Sequence, residues 1–340
     1  MERLRVNVIS ESSFTVKGHG VHSAYEETIQ AIAEMEDVQL TSGLRGFGRS
    51  TVLHVHTMGP VALARIFLHR GSTVVSAHVT PLTIVGSIRG AQWLLRLLRP
   101  YMRIFYNRAG RIISVSEATA QELIALGVRT RIDVSHIAIN GNPIRALLPD
   151  RARIRRELGW DDDRLTVLAV GQIQPRKGFE EFLECALRLP EARFIWVGGM
   201  PFGVLSHSRQ ELLAAQRDVP ENVELTGQIP REAVFGYYAA ADVFFLPSTH
   251  ETFGIATLEA AVAGLPIVVG DLACYEEWLD DAYLSGRGVD DYVDALRALE
   301  SSEFRDKMGR RAATVASKHD FAALKGELRT AYWEAAGRQP

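Results

Sequence analysis

The chain has 340 residues, 47% of them apolar and 23% charged, with a formal charge of −3. That length asks for two domains, the apolar share excludes a disordered or collagen-like chain, and the near-neutral total excludes a nucleic-acid binder driven by overall positive charge. The total hides two opposite halves: residues 1–150 carry 16 basic against 11 acidic side chains, and residues 151–340 carry 22 against 30. Between Asp37 and Glu117 there is no acidic residue, while the same stretch holds ten arginines from Arg45 to Arg111, Arg65 among them.

Short runs rich in Val and Ile alternate with stretches of helical period, the pattern of parallel sheets with crossover helices. Strands are predicted over Leu4–Ser10, Thr51–His56, Thr73–Ala77, Arg111–Val115 and Ile132–Ile137, with helices near 21–36, 59–69, 88–107 and 117–126. Turn chemistry at Asn140-Gly141-Asn142-Pro143, together with the change in charge, places a linker at about 140–150. A second series follows, with strands over Leu165–Val170, Ala192–Val197, Val223–Leu225, Asp242–Leu246 and Pro266–Val269. Its helices are expected near 177–188, 207–217, 231–240, 254–263, 290–299, 303–317 and 320–335. The expected fold is α/β: two tandem doubly wound, Rossmann-like parallel-sheet domains facing a cleft across the carboxyl ends of their strands. The boundaries are 1–145, 146–319 and a terminal helical segment, 320–340.

Cys185 and Cys274 sit among apolar neighbours as small core residues, and two cysteines make neither a disulfide framework nor a metal knot. With no run of eighteen apolar residues and no signal-like amino terminus, a cytoplasmic protein is expected, meeting a membrane only from its surface. Asp161-Asp162-Asp163 reads as a polar turn, so no metal site is expected.

The segment from Pro247 to Pro266 carries the most chemistry. It follows a strand and opens a helix, so Phe253, Gly254 and Ile255 lie where unpaired backbone N–H groups favour an anion such as a diphosphate. Glu251 precedes that helix and Glu259 lies two turns inside it, a separation of eight that puts both on roughly one face. Glu259 is flanked by Leu258, Ala260, Ala261 and Val262, where a carboxylate is costly without a partner.

Glu251, Phe253, Gly254, Glu259, Gly264 and Pro266 together resemble the hallmark of the retaining glycosyltransferases of family 4, which have the GT-B fold. The resemblance extends to Gly171-Gln172-Ile173-Gln174-Pro175-Arg176-Lys177-Gly178, similar to the family's basic phosphate loop, although Gln172 stands where many members carry arginine. It also takes in Ser114-Val115-Ser116-Glu117, Asn140-Gly141-Asn142-Pro143 and Gly227-Gln228-Ile229-Pro230. Phe321 to Tyr332 is similar to the terminal segment that crosses back to the amino-terminal domain in this family.

The resemblance implies transfer of a hexose from a nucleotide diphosphate sugar to an acceptor hydroxyl, with retention and without a metal. It implies the base near Gln228 and Ile229, the ribose on Glu259, and the diphosphate on Lys177, Arg176 and the amides after Phe253. No cofactor is expected beyond this substrate, with a UDP-sugar favoured over a GDP-sugar. Glu251 and His78 would hold the sugar, His78 because it ends a strand and so faces the ligand side of the sheet. His54 and His56 alternate on the neighbouring strand, and one of them is expected to be a packed residue. Gly18 and Gly20 form a close-approach loop after the first strand. Without a third glycine at Ser23, a dinucleotide fingerprint is disfavoured.

Arg89, Arg96, Arg99 and Arg103 recur near one helical face, with leucines, Met102 and Phe105 supplying much of the rest and Trp93 and Tyr101 at the margins. Two readings stand evenly: an interfacial helix attracted to anionic lipid, with Trp93, Arg96, Arg99 and Arg103 as membrane or acceptor contacts, or an ordinary helix burying its leucines. The first favours a lipid acceptor such as diacylglycerol or a glycolipid at the inner face of the plasma membrane. A soluble or polysaccharide-precursor acceptor is the alternative, and a non-catalytic nucleotide-sugar-binding protein is the rival from another class. The sequence does not specify an oligomeric state.

Overall fold

The computed structural model describes residues 3–11, 20–43, 50–85, 91–160, 162–200 and 219–339, with the backbone alone for 84, 85 and 91–94. These residues divide into two compact units. The first takes in Met1–Val85, Ala91–Asn140 and His319–Pro340, and the second Gly141–Lys318.

The first unit is built on a six-stranded sheet: β1 Leu4–Ile9, β2 Val38–Ser42, β3 Val52–Val55, β4 Ser72–Ala77, β5 Arg111–Ser114 and β6 Ile132–Val134. The strands lie in the order β2-β1-β3-β4-β5-β6, and every neighbouring pair is parallel. The second unit repeats the plan with β7 Thr166–Val170, β8 Arg193–Val197, β9 Val223–Gly227, β10 Val243–Leu246, β11 Ile267–Gly270 and β12 Tyr283–Gly286. Their order is β12-β11-β10-β7-β8-β9, again with parallel pairing.

Each sheet has six strands rather than the five expected, and β2 and β12 are the additional ones. Both are edge strands: Gln39 and Leu40 to Ser42 of β2 are half-exposed or exposed, and β12 is Tyr-Leu-Ser-Gly. An edge strand covered on few sides does not need the Val/Ile run of a central one. The expected helix near 207–217 lies outside the described residues. A helix at Ala273–Leu279 was not foreseen, and that expected from 177 begins at Phe179 after a tight turn, Pro175–Lys177.

Both cysteines are free and buried. In the second unit Phe182 meets Phe194 and Trp196 edge-on at ring separations of 5.3 and 5.1 Å, the aromatic centre under β7 and β8. In the first unit the terminal helix Phe321–Ala335 packs Leu324, Leu328 and Tyr332 into the core formed by Val6, Val52 and Val74.

Two of the ten arginines do not make basic surface. Arg65 is 4% exposed and donates to Asn7 Oδ1 at 2.9 Å, and Arg111, also buried, pairs with Asp133 and Glu334. Of the aspartate turn, Asp162 accepts from Arg164 and Arg193 at 2.9 and 2.7 Å, while Asp161 lies outside the described residues.

In the second sheet the chain runs β7-β8-β9 in one direction and then returns to place β10 on the other flank of β7. The loops after β7 and β10 therefore leave the sheet side by side in opposite senses, the position where open parallel sheets bind ligands.

Candidate active site

The loop after β7 is held by the indole of Trp196, whose Nε1 donates to the Gly171 carbonyl at 2.8 Å. The loop ends at Gly178, with φ +72°, where a Cβ would lie 2.1 Å from the Pro247 carbonyl oxygen. Only glycine allows this approach to the chain leaving β10. Thr249 N–H then donates to the Arg176 carbonyl at 2.8 Å, and Arg176 Nη1 donates to the His250 carbonyl at 3.2 Å.

This stitching sets Glu251 among cations. Its side chain is 8% exposed; one oxygen pairs with Lys177 and accepts from Ser248 Oγ at 2.9 Å, and the other lies 3.7 Å from Arg176. Burial alone would raise the Glu251 carboxyl, but Lys177, Arg176 and the Ser248 hydroxyl outweigh it and hold the group below its ordinary value, ionised.

Gly254 follows with φ +93° and caps the helix Ile255–Val262. Phe253 is fully buried and stacks on Trp278 at 5.0 Å, so its side chain belongs to the core and the adjoining backbone is what the segment can offer a ligand. Ile255 is half-buried at the first turn.

Glu259 is 6% exposed, and its two oxygens face Tyr238, whose hydroxyl donates at 2.9 Å, and Arg231, also at 2.9 Å. Burial raises its carboxyl despite both partners. The two glutamates thus have separate partner sets. The shared-face expectation assumed helical rotation between them, and the left-handed Gly254 ends that rotation before Glu251. Gln228 is exposed and Ile229 half-buried just past the end of β9.

In the first unit His78 directly follows β4 and is buried. Its Nε2 lies 3.2 Å from Nδ1 of His56, which directly follows β3. His54, on β3, bridges the Tyr332 hydroxyl at 2.6 Å and Ser76 Oγ at 2.8 Å. Gly20 opens the helix Gly20–Ala33, and Gly18 lies outside the described residues.

The arginine-rich helix spans Ala91–Arg108. Leu95, Met102, Phe105 and Tyr106 are buried, and Arg96, Arg99 and Arg103 are exposed. The outer face is not purely polar: Leu97 is 63% and Ile104 54% exposed. Arg99, Pro100, Arg103 and Ile104 line a groove of about 780 Å³ with Leu82 and Leu126. Arg89 and the side chain of Trp93 lie outside the described set.

Two family models match the chain: Glycosyltransferase Family 4 over residues 36–140 and Glycosyl transferases group 1 over residues 150–315. The chain is 30% identical over 305 residues to the alpha-galactosylglucosyldiacylglycerol synthase of Streptococcus pneumoniae, covering 88% of this chain and 81% of that one. The chain belongs to glycosyltransferase family 4. A second relative of this family-4 chain is the D-inositol 3-phosphate glycosyltransferase of Mycobacterium sp. (strain KMS), 32% identical over 203 residues, 57% of this chain and 46% of that one. The chain therefore spans about half the length of that relative. Among solved structures, Anabaena Alr3699/HepE in complex with UDP and glucose superposes with a TM-score of 0.77 at 15% identity, covering 97% and 99% of the two chains. The fold is GT-B and the protein is a glycosyltransferase.

For this family-4 enzyme the structure brings Lys177, Arg176 and Glu251 together, and it places Phe253, Gly254 and Ile255 at the start of the helix carrying Glu259. Sequence reasoning missed Ser248, Arg231 and Tyr238, and the bond between His56 and His78. Arg231 immediately follows Gln228-Ile229-Pro230, but it is 28 positions from Glu259 and no local period connects them.

Proposed function

We propose that this enzyme transfers a hexose from a nucleotide diphosphate sugar, a UDP-sugar by preference, to an acceptor hydroxyl with retention and without a metal ion. The observation that carries this is the pair of cations, Lys177 and Arg176, set beside Glu251 at the strand-order reversal of the second unit. Such cations neutralise a departing diphosphate, while a carboxylate between them accepts from a sugar hydroxyl. Glu259 takes the ribose, Gln228 and Ile229 the base, and the amides after Phe253 the phosphates. His78 is assigned to the transferred sugar. The bond from the anomeric carbon to the diphosphate oxygen breaks as the acceptor oxygen bonds on the same face, and the acceptor proton leaves with the diphosphate. The UDP and glucose held by the Anabaena neighbour support the choice of donor.

The acceptor is a membrane lipid, diacylglycerol or a glycolipid. Support comes from the pneumococcal synthase and from Leu97 and Ile104 exposed among Arg96, Arg99 and Arg103. We assign membrane contact, at the cytoplasmic surface, to this face; among the described residues no helix is long and apolar enough to cross a membrane. Likeness to the inositol phosphate glycosyltransferases favours a second reading, a soluble acceptor.

A crossed screen of nucleotide sugars against lipid and soluble acceptors, read by mass spectrometry with and without chelator, tests both. Glycolipid product with a retained anomer, insensitive to chelator, is expected. UDP binding without turnover on any acceptor would refute the enzymatic reading. Co-sedimentation with anionic vesicles should weaken with salt, and binding insensitive to salt would reject the arginine face.

A further inference from the structure

His56 and His78 leave the carboxyl ends of adjacent strands, and the register of β3 on β4 sets two diagonal rungs on one face. His54 reaches Ser76 on one rung, and His56 reaches His78 on the other, each across 22 residues of sequence. The His54–Ser76 rung is closed by the Tyr332 hydroxyl from the terminal helix. His56 lies between these groups: its ring is 4.4 Å from that of His54, 5.4 Å from that of His78 and 5.7 Å from that of Tyr25, which stands edge-on.

His56 is 3% exposed, and its Nε2 finds no hydrogen-bond partner among the described residues. Its second nitrogen, Nδ1, faces His78 Nε2 at 3.2 Å. One proton is shared out between these two contacts. A buried N–H with no acceptor is rarer and costlier than an acceptor nitrogen left bare. The proton of His56 therefore belongs on Nδ1, where it has a partner, and His78 Nε2 must be the acceptor. His78 then carries its own proton on Nδ1.

We propose that His56 is a positioning residue that donates from Nδ1 to His78 Nε2 and so holds His78 as the Nδ1–H tautomer, aiming a fixed donor at the transferred sugar. This rests on the assignment of His78 to that sugar. The Tyr332–His54–Ser76 rung keeps the strand ends in the register that the contact needs. The terminal helix thereby reaches the reacting side of the first unit through two histidines.

The test joins a spectrum to kinetics. Two-bond ¹⁵N–¹H correlation of histidine-labelled full-length protein should show His78 with its proton on Nδ1, and a His78 proton on Nε2 would overturn the proposal without reference to activity. Kinetically, His56→Leu should lower kcat by roughly 10–100-fold, the effect of losing the orienting partner of a functional histidine, with little change in KM for the nucleotide sugar. His56→Asn, whose amide places an N–H close to the lost Nδ1–H, should recover most of it. In a His78→Ala background, His56→Leu should cost nothing further, and an additive loss there would overturn the coupling. Wild-type turnover by His78→Ala itself would refute the underlying assignment, a result separable from the spectrum. Thermal melts and vesicle-free UDP binding confirm that each variant is folded.

Discussion

Replacing Glu251 by Gln isolates the role of its charge. The amide oxygen can still accept from Lys177 and Ser248, but the negative charge beside Lys177 and Arg176 is lost. Side-chain exposures of 8% for Glu251 and 13% for Lys177 leave little solvent to screen the difference. Removing one partner of a buried ion pair costs about 3–5 kcal/mol, and the retained hydrogen bonds put this case at the low end, about 3. For a unit of about 180 residues each kcal/mol moves the midpoint by about 2–4 °C, so the melt of the second unit should fall by roughly 6–12 °C. UDP brings the missing negative charge. On the proposed donor site, its diphosphate competes with Glu251 for the cations in the natural protein and meets no competitor in the variant. At equal concentration UDP should raise the midpoint further for Glu251→Gln than for wild type, where 100 times Kd supplies about 2.7 kcal/mol. Transfer should be lost at the same time. Scanning fluorimetry with a UDP titration reads both effects. An unchanged midpoint, or equal UDP shifts in the two proteins, would refute the reasoning.

Burial, with His78 nearby, pushes His54 down to about 3 from 6.5, and burial also holds His56 well below its ordinary value. The folded chain therefore binds fewer protons than the unfolded one below pH 6.5. Stability should be full above that pH and fall as pH drops toward 3, by up to about 1.4 kcal/mol per pH unit per histidine. His54→Gln should flatten the slope of urea midpoint against pH between 6.5 and 5, and an unaltered slope would sink this account. Arg231→Met strips Glu259 of its cation and should cost about 1–3 kcal/mol, with Glu259→Gln restoring part of the loss in a double-mutant cycle by urea unfolding. Gly254→Ala forces a side chain into φ +93° with its Cβ 2.8 Å from the Tyr275 ring, for a loss of about 1–3 kcal/mol or more in a thermal melt. A neutral Gly254→Ala would show that the helix start has a second conformation.

The parallel α/β plan was legible because central strands such as Val243-Phe-Phe-Leu are buried on both faces and must be apolar throughout. β2 and β12 were not legible, since edge position removes that demand. Lys177, Arg176 and Glu251 could be named from the loop and the glutamate motif, yet nothing local shows that they touch. Their contact depends on β10 returning to the flank of β7. The same holds for Arg231 with Glu259. For Arg65 and Arg111 the run of unbalanced charge misled, because their counterparts Asn7, Asp133 and Glu334 come from distant segments. On the Ala91–Arg108 helix, the leucine stripe served both readings, and the structure divides it: Leu95 faces inward and Leu97 outward.

The first unit closes with residues from the far end of the chain. His319–Pro340 belongs to it, Ile139 N–H donates to the His319 carbonyl at 3.2 Å, and Tyr332 covers His54. During synthesis the second unit, ending at Lys318, has all of its residues before the first has its last helix. The amino-terminal sheet must wait, with the surface around Val6, Val52 and Val74 open to water, while a whole second unit is made. Order of emergence and order of completion are reversed. A nascent chain stalled after Lys318 but before the terminal helix would hold a finished second unit tethered to an unfinished first one.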